Sequence, residues 1–126
     1  MNDRPSIQEY ESVDGACLQE LRDLTMFNDN PDRFLRLLKT FVDALDTQIN
    51  LMREALKTND AEGLTDLAHG LKGTAASMGA RYLAFLCASL EQACGNADFG
   101  GVKAEFDEIE IESRVVGKII EEQASA

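Results

Sequence analysis

The chain has a single histidine, His69, whose imidazole could act as a nucleophile or as a base. Apolar residues recur around it at spacings of three and four, the period of one face of an α-helix: Leu64, Leu67, Leu71, Ala75 and Met78. At about 100° per residue, His69 falls roughly 150° from the centre of that face. We therefore expect an exposed imidazole on the outer side of a helix.

The outer side of this helix also carries a cation and several small residues. Lys72 and Gly73 follow His69 at i+3 and i+4, so the three share one side. The small residues that would let a partner's backbone approach are Gly70, Gly73, Ala76 and Ser77. Each glycine in a helix costs about 1 kcal/mol relative to alanine, and this cost suggests a use as a docking face.

A carboxylate is predicted beside the imidazole. If the helix of His69 and the next one form an antiparallel hairpin turning at Gly79 and Ala80, residues whose numbers sum to about 160 lie at the same height. Glu91 then faces His69, where it could accept a hydrogen bond from Nδ1–H and leave Nε2 as the nucleophile. Lys72 could balance an anionic group as a flexible point charge. A solvated carboxylate and an ordinary surface lysine remain the alternative interpretations.

Other chemistries find less support in the sequence. There is no second histidine, and Cys17, Cys87 and Cys94 show no C-x-x-C spacing, so we expect neither a metal site nor a disulfide framework. No P-loop or kinase glycine loop is present, so the chain should not bind or cleave ATP. An enzyme using His69 as a general base would require a concave pocket beside it.

The charge of the chain bounds its partners. Twelve Lys and Arg against 23 Asp and Glu give a net charge of −11, which argues against nucleic acid and anionic membrane surfaces. No Asp or Glu occurs from Leu67 through Leu90. The absence of carboxylates in this window would favour the binding of a dianionic group, because nearby carboxylates would repel such a group. A turn and a mostly buried helix with few acids would explain the window equally well.

With 126 residues the chain is expected to form one domain over residues 14–126, preceded by a polar tail over residues 1–13. No apolar run approaches the ~20 residues that cross a bilayer. The start of the chain lacks the apolar segment of a signal peptide. We therefore expect a cytoplasmic protein without membrane insertion.

The predicted fold is all-α. Helices are expected from an Asp14 cap to about Thr25, from Pro31 to about Leu56, from an Asp60 cap to Gly79, from about Arg81 to Ala93, and from about Phe99 to Glu122. Short connections between long amphipathic helices predict an antiparallel up-down-up-down four-helix bundle, with the short first helix as an N-terminal addition. In the last helix, Glu105, Glu108 and Glu112 are predicted outside the apolar stripe, on a solvated face.

The pattern His-x-Leu-Lys-Gly-x-Ala-Ala-x-x-Gly-Ala from His69, with Leu90-Glu91 further on, resembles the histidine-containing phosphotransfer (HPt) domain of phosphorelays. The segments 30–35 and 59–64 share in the likeness. Many family members carry glutamine at the position of Glu91 and some carry glutamate. Many also have a basic residue one turn later, where this chain has Cys94-Gly95.

The resemblance implies a phosphocarrier without ATP-dependent kinase activity of its own. His69 would accept a phosphoryl group from a receiver-domain aspartate or a cognate hybrid sensor histidine kinase, and would pass it to a response-regulator aspartate. Lys72 would assist the phosphoryl group and Gly73 would keep the approach open. Because the magnesium for transfer belongs to the receiver, no cofactor is expected, and we expect a monomer. The alternative is a degenerate HPt domain that docks a partner without being phosphorylated.

Overall fold

The computed structural model describes residues 12–26 and 31–125, and the regular structure within them is entirely helical. Five helices follow one another: α1 (Gly15–Met26), α2 (Pro31–Lys57), α3 (Ala61–Ser77), α4 (Arg81–Gly95) and α5 (Phe99–Ser125). The predicted all-α fold is confirmed. In these two ranges no helix combines the length and the apolar character that a membrane span requires.

Helices α2 to α5 form the predicted up-down-up-down bundle. Each is joined to the next by a three-residue connection, which forces consecutive helices to run antiparallel. α3 packs against α2 and α4, and α5 closes the ring by packing against both α4 and α2. The apolar stripes meet in a core whose largest fully buried side chains include Leu38, Leu45, Leu71, Leu86 and Phe106. α1 is the short additional helix and packs on α2.

The turns at one end of the bundle share one capping design. Asp60 Oδ1 accepts a hydrogen bond from the backbone N–H of Gly63 at 2.9 Å, and Asp98 Oδ1 accepts one from Gly101 at 3.0 Å. The residues before these caps, Asn59 and Ala97, have φ values of 56° and 53°. The predicted Asp60 cap is confirmed, and it sets the start of the helix that carries His69.

The turn at the other end joins α3 to α4 and also receives α1. Gly79 has a φ of 76°, and its carbonyl accepts a hydrogen bond from the Asp14 N–H at 2.9 Å. A Cβ on Gly79 would lie 2.9 Å from the Cβ atoms of Asp14 and Cys17. Arg81 Nη2 pairs with Asp14 Oδ2 at 2.8 Å. The start of α1 is therefore fixed to the hairpin that carries the candidate site.

Some predicted details differ in the structure. α4 continues to Gly95 and α5 to Ser125, each beyond the predicted end. Ala68 is fully buried while Leu67 is half-buried, because the centre of the buried face lies nearer Ala68. The Asn28–Asn30 break and residues 1–11 of the predicted tail lie outside the described residues, and the domain boundary at residue 14 stays a prediction.

The prediction for Glu112 is wrong. Its side chain is not solvated, since Glu112 is only 4% exposed. Ser12 hydrogen-bonds to it from the segment that precedes α1. Burial raises the pKa of the Glu112 carboxyl, and the hydrogen bond with Ser12 opposes the shift in part. Glu108, on the same side of α5, accepts a hydrogen bond from the Tyr82 hydroxyl at 3.2 Å.

Candidate functional site

His69 lies in the middle of α3 with its imidazole on the outside of the bundle. Its side chain is 71% exposed, as the helical period predicts. The rotation of α3 is fixed by the burial of Ala68 and Leu71, the residues on either side of the His69-Gly70 pair. The ring is therefore open to another molecule while the backbone that holds it is part of a packed helix.

Glu91 on α4 lies beside the imidazole. Its Oε2 is 3.3 Å from Nδ1 of His69, which is the contact expected from the hairpin pairing. Because a carboxylate only accepts hydrogen bonds, this neighbour favours the tautomer with the proton on Nδ1. Nε2 is then the nitrogen with the free electron pair.

Lys72 also contacts Glu91, which helical spacing alone does not predict. Lys72 Nζ lies 3.2 Å from Oε1, so one carboxylate bridges the imidazole and the ammonium. Oε1 is buried and accepts no hydrogen bond, so its contact with Lys72 is an ion pair without hydrogen-bond geometry. In the α3–α4 hairpin, residues whose numbers sum to about 160 lie at the same height, so Lys72 lies opposite residue 88, one turn from Glu91. The length of a lysine side chain is the signal that could have suggested the contact.

Cys87 lies beneath this pair, one turn before Glu91 on α4, and is fully buried. Burial raises the pKa of the Cys87 thiol to about 12; the Glu91 charge adds to the shift and the Lys72 charge opposes it. The thiol is protonated at neutral pH and is no competing nucleophile. It contributes an apolar floor to the site, which strengthens electrostatic interactions above it.

The side of α3 next to His69 is open. A Cβ on Gly73 would meet nothing within 4 Å, and one on Gly70 would lie 3.7 Å from Gln48 Nε2. Ala76 and Ser77 are exposed as well. The structure thus brings all four predicted small residues to the exposed surface of α3, and we call Gly70, Gly73, Ala76 and Ser77 the small-residue face.

The cavities described in the structure lie away from His69. An apolar one of about 40 Å³ opens between the α2–α3 and α4–α5 turns, lined in part by Leu64, Cys94 and Phe99. A polar cleft and a wider groove lie between α2 and α5. Among the described residues, no three His, Cys, Asp or Glu side chains are grouped to hold a metal ion. None of these cavities is lined by His69, so its imidazole lies on the outer surface of the bundle and not inside a pocket.

Comparison with known proteins gives the family. The model of the Hpt domain matches residues 36–123, which include the whole of α3 and α4. The chain belongs to the Hpt domain family. The resemblance inferred from the motif is confirmed, and Hpt membership gives the chain a phosphotransfer role in phosphorelay signalling.

Solved structures agree with the Hpt assignment. Histidine-containing phosphotransfer protein B (HptB) from Pseudomonas aeruginosa PAO1 is similar with a TM-score of 0.83 and 26% identity, over 91% of this chain and 96% of that one. A rice protein described as a histidine-containing phosphotransfer protein has a TM-score of 0.75 and 23% identity, over 90% and 83% of the two chains, and supports the fold of this Hpt domain. The comparison with curated proteins finds no match.

Proposed function

We propose that this Hpt domain carries a phosphoryl group on Nε2 of His69 and relays it between receiver-domain aspartates. The observation that carries the proposal is the exposed imidazole with a carboxylate 3.3 Å from Nδ1. In the neutral ring this contact favours the tautomer with the proton on Nδ1, so the electron pair lies on Nε2, in an imidazole that a partner can reach. Donor and acceptor are receiver domains of response regulators, or the donor belongs to a hybrid sensor histidine kinase.

The loading step is an in-line displacement at phosphorus. The Nε2 electron pair forms the N–P bond while the P–O bond to the donor aspartate breaks, and that electron pair returns to the carboxylate. The ring keeps its Nδ1 proton and becomes positively charged. Glu91 stabilises this charge, because its carboxylate forms a charge-assisted hydrogen bond with Nδ1–H.

The unloading step runs the same chemistry in reverse. The carboxylate of the second receiver attacks phosphorus, the N–P bond breaks, and the electron pair returns to Nε2. Because Glu91 keeps the proton on Nδ1, the ring leaves as neutral imidazole, which is a good leaving group. Lys72, one helical turn from His69, provides a positive charge near the phosphoryl oxygens in both directions.

Partner access depends on the small-residue face. A stable protein interface buries about 800 Å² on each partner, so docking a receiver over His69 must cover the neighbouring turns of α3. Gly70 and Gly73 let its surface approach the helix backbone. The receiver contributes the magnesium ion and the aspartate, and this chain contributes the acceptor imidazole, its positioning carboxylate and the cation.

A transfer assay tests the proposal. The wild-type protein and a His69→Gln variant are incubated with a receiver domain carrying ³²P on its aspartate, and the label on each chain is measured. We expect label on the wild-type chain and none on the variant, with unchanged helix content by circular dichroism. Label that persists on His69→Gln would refute the assignment. Partner binding that is equal for both chains, without any label, would instead favour a docking module.

A further inference from the structure

The Glu91 carboxylate contacts two groups, the His69 imidazole and the Lys72 ammonium, and phosphorylation of His69 would affect the two contacts differently. Its Oε2 contacts the imidazole, and its Oε1 contacts the Lys72 ammonium. We propose that phosphorylation of His69 draws Lys72 away from Glu91, and that Glu91 thereby limits how tightly the site holds the phosphoryl group. The inference rests on the proposed function, and it concerns the regulation of the same site.

The first step is the competition for one cation. In the structure Lys72 is paired with the Glu91 carboxylate, which carries a charge of −1 when ionised. A phosphoryl group on Nε2 carries a charge approaching −2, so at comparable distance it attracts the ammonium more strongly. The Lys72 side chain is 37% exposed and has a flexible four-carbon stem, so it can be redirected without moving α3.

The second step is the cost of leaving Glu91. The carboxylate is 23% exposed, and its Oε1 is buried with no hydrogen bond of its own. Once Lys72 turns to the phosphoryl group, the charged ring stays at Oε2, but the buried Oε1 loses its only close cation and has no hydrogen bond in its place. Such a group is unfavourable in the folded protein. The apolar floor formed by Cys87 adds to this effect, because it screens the charge poorly.

The consequence is a balance between storage and release. Lys72 stabilises the phosphoryl group, but the free energy needed to break the Lys72–Glu91 pair offsets part of that stabilisation. The phosphorylated site is therefore less stable than one in which Lys72 has no competing partner. A relay intermediate benefits from this balance, because a phosphoryl group held too tightly would not move on to the next receiver.

A double-mutant cycle with a small phosphodonor measures the effect without any protein partner. The protein is equilibrated with phosphoramidate and ammonium chloride, and the ratio of phosphorylated to free protein is measured by intact-mass spectrometry from both directions. In this reaction Nε2 forms the bond to phosphorus, and the P–N bond of phosphoramidate breaks to release ammonia with its electron pair. The variants are Lys72→Ala, Glu91→Gln and the combination of the two.

The cycle isolates the competition. Glu91→Gln also weakens the acceptor at Nδ1 and removes a direct repulsion, but these effects are present with or without Lys72. We expect Glu91→Gln to raise the ratio of phosphorylated to free protein in the presence of Lys72. This rise should be about threefold to tenfold larger than the change that Glu91→Gln causes in the Lys72→Ala background. Lys103 and Asp107, an exposed ion pair on α5 at 3.1 Å, provide the control, since neutralising either should leave the ratio unchanged.

Two outcomes would overturn the inference alone. Equal effects of Glu91→Gln in both backgrounds would show that the two residues act independently. A less favourable effect in the presence of Lys72 would show that Glu91 guides the ammonium towards the phosphoryl group. If the wild-type protein takes no phosphoryl group from phosphoramidate or from a receiver, the proposed function fails together with the inference.

Discussion

Replacing Gly73 with leucine should stabilise the protein while it impairs phosphotransfer. Gly73 lies in the interior of α3, and a Cβ there would meet nothing within 4 Å. Leucine is favoured over glycine in a helix by about 0.8 kcal/mol, and no clash offsets the gain. For a chain of this size, the melting temperature should rise by about 3 °C. Thermal unfolding followed by circular dichroism measures this change.

The same substitution places a branched side chain on the small-residue face, one turn from His69. The attacking nitrogen must come within about 3–3.5 Å of phosphorus, and a displacement of about 1 Å can cost 10²-fold in rate. We therefore expect transfer from a phosphorylated receiver to slow by about tenfold to 100-fold. Phosphorylation by phosphoramidate should change less than about twofold, since this small donor needs no docked interface.

Gly117→Leu is the matched control. Gly117 is also a helical glycine with nothing within 4 Å of a built Cβ, but it lies on α5, away from His69. It should give the same rise in melting temperature with normal transfer. If Gly73→Leu and Gly117→Leu transfer phosphate equally fast, the small-residue face is not where the receiver docks. A lower melting temperature for Gly73→Leu would show that a side chain at this position clashes with its surroundings, and would contradict the reasoning.

Three further predictions concern stability and are checked by denaturant unfolding. Gly79→Ala should lower the free energy of unfolding by about 2–4 kcal/mol, because a Cβ is strained at the positive φ of this residue and would press against Asp14. An unchanged free energy of unfolding would mean that α1 does not depend on this turn. Ala97→Gly should raise the free energy of unfolding by about 1 kcal/mol by relieving the strain of its φ of 53°, and a loss of stability would contradict this. Glu112→Gln should stabilise the protein at pH 7.5, since the raised pKa of Glu112 makes its charged form unfavourable in the folded state. That gain should shrink as the pH falls towards the carboxyl's ordinary pKa of 4.5, where the wild-type group is protonated; a gain independent of pH would refute the electrostatic cause.

Much of the fold and of the site geometry follows from local signals in the sequence. Apolar spacing identifies the buried side of α3. Because the helical period fixes the angle between side chains, the same spacing places His69 on the outer side. A three-residue turn then fixes the height of α4 against α3, which is why the contact of Glu91 with Nδ1 can be anticipated from residue numbers alone.

The remaining features depend on contacts between distant parts of the chain. Glu112 is predicted to be a solvated residue of α5, and no local signal in the sequence shows that it is buried or that Ser12 hydrogen-bonds to it. The docking of α1 on Gly79 is equally non-local. The Lys72–Glu91 pair depends on the rotamer of a long side chain, which helical spacing leaves open.

The most direct test of the central claim is a ¹⁵N and ³¹P NMR measurement of the phosphorylated protein with its histidine ¹⁵N-labelled. The structure predicts that the nitrogen coupled to phosphorus is Nε2 of His69, and that before phosphorylation the neutral ring carries its proton on Nδ1, next to Glu91. Coupling of phosphorus to Nδ1, or a neutral ring protonated on Nε2, would contradict the account.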